Sequence, residues 1–188
     1  MLGRMVSAIN DIEGCKAISA IMPEVRMNMV YAKEDAKEPK DVVAIDGRIT
    51  IVEGMPKAAG KAKFGASSHM ARMMIELMKK NPEMRAGINF VYTPKLGEFL
   101  VEYCKEKGWL LGNIDRSKEP EDMAEEKIPS MPWKAEEAIN STDGIVPKIF
   151  YEHNAVGKED LTVLIGSDPI KIAKETCDLA EKYLEWTR

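Results

Sequence analysis

Histidine and cysteine are scarce in this chain, with 2 and 3 among 188 residues. Cys15, Cys104 and Cys177 stand far apart without a CxxC pair, and His69 and His153 are also widely separated. A disulfide framework and a protein-held zinc site are therefore disfavoured, and buried thiols in a reducing cytoplasm are the expected alternative. Long apolar runs are missing too. Nothing approaches the roughly 20 residues that span a bilayer, and no charged-then-apolar leader opens the chain. The expected location is cytoplasmic, with no membrane partner. Excess basic charge is lacking as well: 27 Lys+Arg against 31 Asp+Glu gives a net charge of −4. A nucleic-acid partner of the ordinary basic kind is not expected. No GxxxxGK[ST] loop, GxGxxG fingerprint or GxSxG elbow occurs, which removes the commonest nucleotide and hydrolase signatures. Aromatics make up only 6%.

What remains is an ordinary globular composition, 45% hydrophobic and 31% charged, far from the corner occupied by disordered chains. The length suits one domain. Methionine is abundant at 13 residues, so an adaptable core or pocket is expected.

Hydrophobic periodicity predicts a helix over residues 2–21, stopped by Pro23. It starts almost at Met1 without a cap of its own, and the expectation is that the chain was cut from a longer protein. A strand at 27–32 and a charged loop at 33–40 follow. Strands at 42–45 and 48–52 flank Asp46 and Gly47, a pair that favours a tight turn, so a hairpin is predicted there. Residues 55–63 show no period and read as a mobile surface loop. A helix then runs to about Lys80, opened by Gly65, Ala66, Ser67, Ser68 and His69, with Ser67 or Ser68 as its cap. Beyond it come a strand at 87–92, a helix from Thr93 and Pro94 to Gly108, and a strand at 109–114. Short helical pieces near 121–126 and 133–140, strands at 146–152 and 161–165, and a helix from Asp168 and Pro169 to about Trp186 complete the pattern. Strands and helices alternate, which predicts an α/β fold with a central sheet between helices.

Several residues could carry chemistry. The Gly65–Ala66–Ser67–Ser68 helix start offers free N–H groups, hydroxyls and the positive end of a dipole to a phosphate, and a plain serine-capped helix is the alternative. A helix N-terminus disfavours an imidazolium, so His69 reads as a neutral imidazole able to donate or accept a proton. A buried, satisfied histidine competes. Arg48 could aim a bidentate guanidinium into a cleft rather than stand on the surface. Asp115 and Arg116 lie beyond the carboxyl end of a strand, where α/β folds gather functional groups, although a surface ion pair would look the same. Gly157 and Lys158 could approach a second phosphate. Trp133 could floor a heteroaromatic pocket or simply pack.

Taken in order, the Gly65–His69 segment, Asp115–Arg116, Met131–Pro132–Trp133 with Glu136–Glu137–Ala138–Ile139, Pro147 before a strand containing Tyr151, and Gly157–Lys158–Glu159 resemble the ThiN-type thiamine-phosphate synthase domain. Asn28–Met29–Val30–Tyr31–Ala32 and Gly47–Arg48–Ile49 resemble that family's opening motifs, and the likeness covers nearly the whole chain.

The resemblance implies a single domain over 1–188 with a three-layer α/β/α fold and a mixed sheet, similar to the class II aldolase (AraD-like) type but without its zinc histidines. It implies that hydroxyethylthiazole phosphate displaces pyrophosphate from hydroxymethylpyrimidine diphosphate to give thiamine phosphate. It implies further that Arg48 and His69 match the family's essential arginine and histidine. Asn28, Gly65, Ser67, Ser68, Asp115, Arg116, Trp133, Gly157 and Lys158 are the expected substrate contacts, with Mg²⁺ expected to arrive bound to substrate. An N-terminal hydroxymethylpyrimidine (phosphate) kinase is the expected fusion partner, and a homo-oligomer is possible. The competing reading is a non-catalytic sensor domain of a transcriptional repressor that binds thiamine-pathway phosphates, which would lack the arginine and the histidine. A class II aldolase-like metalloenzyme would need a histidine cluster.

Overall fold

A computed structural model describes residues 1–124, 129–154 and 157–188. Helix α1 (Leu2–Gly14) leads through a 3₁₀ turn (Lys16–Ile21) into strand β1 (Met29–Ala32), and a second 3₁₀ turn (Pro39–Asp41) precedes β2 (Val42–Ile45). Strands β3 (Ile49–Val52), β4 (Met55–Ala58) and β5 (Ala62–Phe64) come before α2 (His69–Lys80), β6 (Ala86–Val91), α3 (Pro94–Lys107) and β7 (Leu111–Asp115). A 3₁₀ turn (Arg116–Lys118), α4 (Glu121–Ala124), α5 (Met131–Asn140), β8 (Ile149–His153), β9 (Leu161–Gly166) and α6 (Pro169–Trp186) follow. The helical piece expected near 121–126 is seen as α4, and its last two residues lie outside the described residues.

Among the described residues, seven strands form the central sheet in the order β5-β2-β1-β6-β9-β8-β7, and β7 with β8 is its one parallel pair. The sheet is therefore mixed but mainly antiparallel. Its strands read as apolar runs because both faces are covered. Met29, Tyr31, Val43, Ile45, Ile88 and Phe90 pack with α1, α3 and α6 on one face. Val30, Ala32, Val42, Ala44, Phe150 and Ile165 pack with α2 and α5 on the other. Two-residue alternation along each strand divides one sequence between two cores.

Local chemistry accounts for the helix boundaries that the sequence marks. Thr93 Oγ1 accepts from the Leu96 N–H at 3.1 Å, Pro94 fills the first turn, and Gly108 ends α3 at φ 66°. Asp168 accepts from the N–H groups of Ile170 and Lys171 at 2.9 and 3.1 Å to start α6. Among the described residues no helix is long and apolar enough to cross a membrane.

Three expectations are corrected. The helix over 2–21 is interrupted at Cys15, whose extended backbone (φ −102°, ψ 94°) separates α1 from the 3₁₀ turn. The predicted hairpin at Asp46 and Gly47 does not form: β2 pairs with β1 and β5, while β3 pairs with β4 in a separate two-stranded sheet. A tight type I′ turn needs positive φ at both central residues, yet Gly47 reaches 72° without Asp46, and Arg48 follows at 68°. The turn itself closes, with the Arg48 N–H on the Ile45 carbonyl at 3.3 Å, but the strands on either side of it pair elsewhere. Residues 55–63, expected as a mobile loop, instead supply β4 and the start of β5. The true hairpin turns on Glu53 and Gly54, at φ 51° and 77°, with Val52 opposite Met55.

Candidate active site

A cavity of about 350 Å³ opens on the face of the sheet that carries α2 and α5. Its floor is two neighbouring rows of side chains crossing adjacent strands. Asn28 shares the orientation of Val30, two residues on. Asn89 stands opposite Val163, and Leu161 opposite Glu152. The amino end of α2 contributes Ser67, His69 and Met70, while Lys134 enters from α5 and Arg48 from the turn before β3. Gly157, Lys158 and Glu159 close the remaining side.

Buried amides hold the mouth in shape. Asn28 accepts from the Ile45 N–H at 3.1 Å and donates to the Ile45 carbonyl at 3.3 Å. Asn89 Oδ1 accepts from the Asn28 N–H at 2.8 Å and its amide donates to the Arg26 carbonyl. Backbone bonds between Met27 and Ile49, at 3.2 and 2.8 Å, then bring Arg48 beside residues 24–28. The exposed Arg48 guanidinium donates to the Val25 carbonyl. Glu159 fixes the same segment from the other side, accepting from the Glu24 and Val25 N–H groups at 2.8 and 2.9 Å. Arg48 has a left-handed backbone at φ 68°, a conformation uncommon for a residue with a Cβ. One left-handed non-glycine residue thus sits at the rim of the cavity.

The rear of the cavity is a buried ionic cluster. Lys134 Nζ and Arg116 Nη1 both donate to Glu152 Oε2, at 2.6 and 3.1 Å, and Arg116 also grips Glu119 Oε2 at 2.6 and 2.7 Å. The Lys134 and Glu152 side chains are 2% and 8% exposed. Burial pushes the Lys134 ammonium down from its ordinary pKa, against the pull of Glu152. For Glu152 burial acts upward, but Lys134, His69 and Arg116 together outweigh it and hold the carboxyl below its usual range. Two cations thus balance two carboxylates. Glu119 Oε1 is the one buried side-chain oxygen without a partner among the described residues.

His69 lies between mouth and rear. Its ring is reached from the cavity, yet the protein packed around it makes charging costly. Desolvation, then the charge of Lys134, lower its pKa against an opposing pull from Glu152. A neutral imidazole is the dominant form at neutral pH.

The cavity brings together Asn28, Arg48, Ser67, His69, Arg116, Gly157 and Lys158. Gly65, Ser68, Asp115 and Trp133 lie outside its lining. Gly65 follows β5, with its N–H on the Val42 carbonyl at 2.9 Å. Ser68 stands at the cap position of α2 but accepts nothing there with its side chain, so the expected serine cap is not made. Asp115 accepts from Ser117 and Asn154, which draw its pKa down to about 2. Trp133 packs against the core that α2 and α5 share. Lys134, Glu152 and Asn89 are pocket residues that the sequence reading missed. The signal for Lys134 was its place on the apolar face of α5, shared with Met131, Ala135 and Ala138, all buried. For Glu152 it was strand alternation with the buried Phe150.

A family model described as thiamine-phosphate synthase ThiN matches residues 4–178. The thiamine-phosphate synthase ThiN of Methanothermobacter thermautotrophicus is 35% identical over 176 residues, covering 94% of this chain and 90% of that protein. The bifunctional thiamine biosynthesis protein ThiDN of Methanocaldococcus jannaschii is 32% identical over 156 residues, covering 82% of this chain but 35% of that protein. Among solved structures, the C-terminal domain of a phosphomethylpyrimidine kinase superposes with a TM-score of 0.88 at 31% identity, covering 95% of this chain and 97% of that one.

Proposed function

Because the chain belongs to the ThiN thiamine-phosphate synthase family, we propose that its cavity joins hydroxymethylpyrimidine diphosphate to hydroxyethylthiazole phosphate. The thiazole nitrogen lone pair forms a bond to the pyrimidine methylene carbon, the carbon–oxygen bond to the diphosphate breaks, and pyrophosphate leaves with that electron pair. The products are thiamine phosphate and pyrophosphate. The observation that carries the reading is Arg48, Ser67, His69 and Lys158 meeting in one cavity at the amino end of α2.

Each step asks the protein for little covalent chemistry. Negative charge grows on the departing pyrophosphate, so fixed donors aimed at its oxygens supply the main effect. Arg48, held by the Val25 carbonyl, presents the rest of its guanidinium to an incoming anion. The N–H groups of the first turn of α2 and the Ser67 hydroxyl add neutral donors. His69, neutral at the working pH, donates a ring N–H rather than a full proton. Holding two substrates in line adds several kcal/mol more.

Magnesium does not fit as a resident ion of these side chains. Glu152 is engaged by Lys134 and Arg116, both Glu159 oxygens take backbone N–H groups, and no group of three His, Cys, Asp or Glu side chains among the described residues could hold a metal. We place any Mg²⁺ on the diphosphate, with water as its other ligands, and route no step through it. We also take the whole chain as one synthase domain, with the three-layer class II aldolase-type arrangement supported by helices on both faces. A fused kinase, the arrangement suggested by the match to the C-terminal domain of a phosphomethylpyrimidine kinase, would supply the pyrimidine diphosphate.

The test is turnover by the variants. Arg48→Ala and His69→Ala should each lower kcat by about 100- to 1,000-fold, the usual effect of removing one preorganised donor, with melting temperatures close to the parent's. Undiminished turnover in both folded variants would overturn the assignment.

A further inference from the structure

The rear of the cavity differs in chemistry from its mouth. Its cations are matched, Arg116 and Lys134 against Glu119 and Glu152. A phosphate placed there would face the Glu152 carboxylate without a free positive charge to meet it. The neighbouring walls are apolar, formed by Met70, Leu161 and Val163. Such a seat fits an uncharged ring that carries an N–H donor, since a buried carboxylate that gains a hydrogen bond recovers part of its desolvation cost. Of the two heterocycles, the thiazole has no N–H, and its ring nitrogen must keep its lone pair for attack. The aminopyrimidine has an exocyclic amino group.

We propose that Glu152, oriented by Lys134 and Arg116 at the back of the cavity, is the residue that recognises the pyrimidine, accepting a hydrogen bond from its exocyclic amino group. The assignment rests on the synthase reading for its choice between the two rings. It places the pyrimidine inward and sends its diphosphate outward, toward Arg48, His69 and Lys158. The thiazole phosphate then approaches from the open side. Lys134 is a positioning residue: its 2.6 Å bond to Oε2 fixes the plane of the carboxylate without touching substrate.

The experiment compares hydroxymethylpyrimidine diphosphate with the analogue in which hydrogen replaces the amino group, by calorimetric binding and by turnover with thiazole phosphate. Sites built around a hydrogen bond reject analogues that lack the group, so the parent should bind the amino compound at least about 100-fold more tightly. Glu152→Gln should reduce that ratio below about 10-fold while the KM for thiazole phosphate changes less than about twofold. A Glu152→Leu/Lys134→Met double variant, which exchanges the ion pair for apolar side chains of similar size, should lose the discrimination as well and guards against misfolding of the single variant. Equal binding of the two compounds by the parent, or a variant that discriminates as the parent does, would overturn the proposal. Discrimination in binding without any turnover would keep it and remove the synthase reading instead.

Discussion

His69 and the Glu152 cluster show how a few charges set the working conditions of the site. His69 stands exposed at the cavity, yet desolvation by the protein around it and the nearby Lys134 charge hold its pKa below the ordinary 6.5. The folded state therefore binds fewer protons there than the unfolded chain, and stability from this residue falls as pH drops below 6.5. Chemical denaturation should show the parent losing more stability than His69→Gln between pH 8 and pH 5; equal losses would assign the titration elsewhere. Glu152→Ala leaves Lys134 buried without its counter-charge, which typically costs about 3–5 kcal/mol. Chemical denaturation should register a loss of that order. Arg48, Ser67 and His69 were legible in the sequence because their motifs sit at local punctuation, a turn and a helix start. Lys134 and Glu152 were not, since their partners lie 18 and 36 positions away and only the fold brings them together.

Among the elements, the helices follow the sequence where capping chemistry is explicit. Thr93 with Pro94 and Gly108 bound α3, and Asp168 with Pro169 starts α6, each within a residue or so of expectation. Replacing Thr93 or Asp168 by Ala should cost about 1 kcal/mol each, read as a lower melting temperature. The strands are harder, because pairing depends on partners that local pattern does not name. Asp46 and Gly47 carry a hairpin composition but only one positive φ, whereas Glu53 and Gly54 carry a poorer composition and the true turn. A Cβ on Gly54 would meet nothing within 4 Å. Gly54→Ala should therefore cost about 1–2 kcal/mol from backbone conformation alone. A stability unchanged from the parent would contradict the turn. Residues 55–63 looked unstructured because β4 and β5 are short, partly exposed edge pieces with Pro56 inside one of them, and such strands show little alternation.

At the scale of the whole molecule, the net charge of −4 conceals a local arrangement suited to anions. Positive groups converge at the mouth of one cavity, while the rear is charge-balanced and walled by apolar side chains. Focused charge of this kind attracts phosphates without a basic surface. The mixed, mainly antiparallel sheet makes the convergence possible, since Asn28, Asn89 and Val163 share one row, and Glu152 opposite Leu161 the next, only when β1, β6, β9 and β8 lie side by side. The central claim is that this cavity couples two heterocycles with loss of pyrophosphate. The direct measurement is to mix the purified protein with both phosphorylated precursors and Mg²⁺ and to quantify both products. Thiamine phosphate and pyrophosphate should appear in equal amounts, and only when both precursors are present. Tight binding of the precursors with neither product formed, or pyrophosphate released without the thiazole, would contradict it.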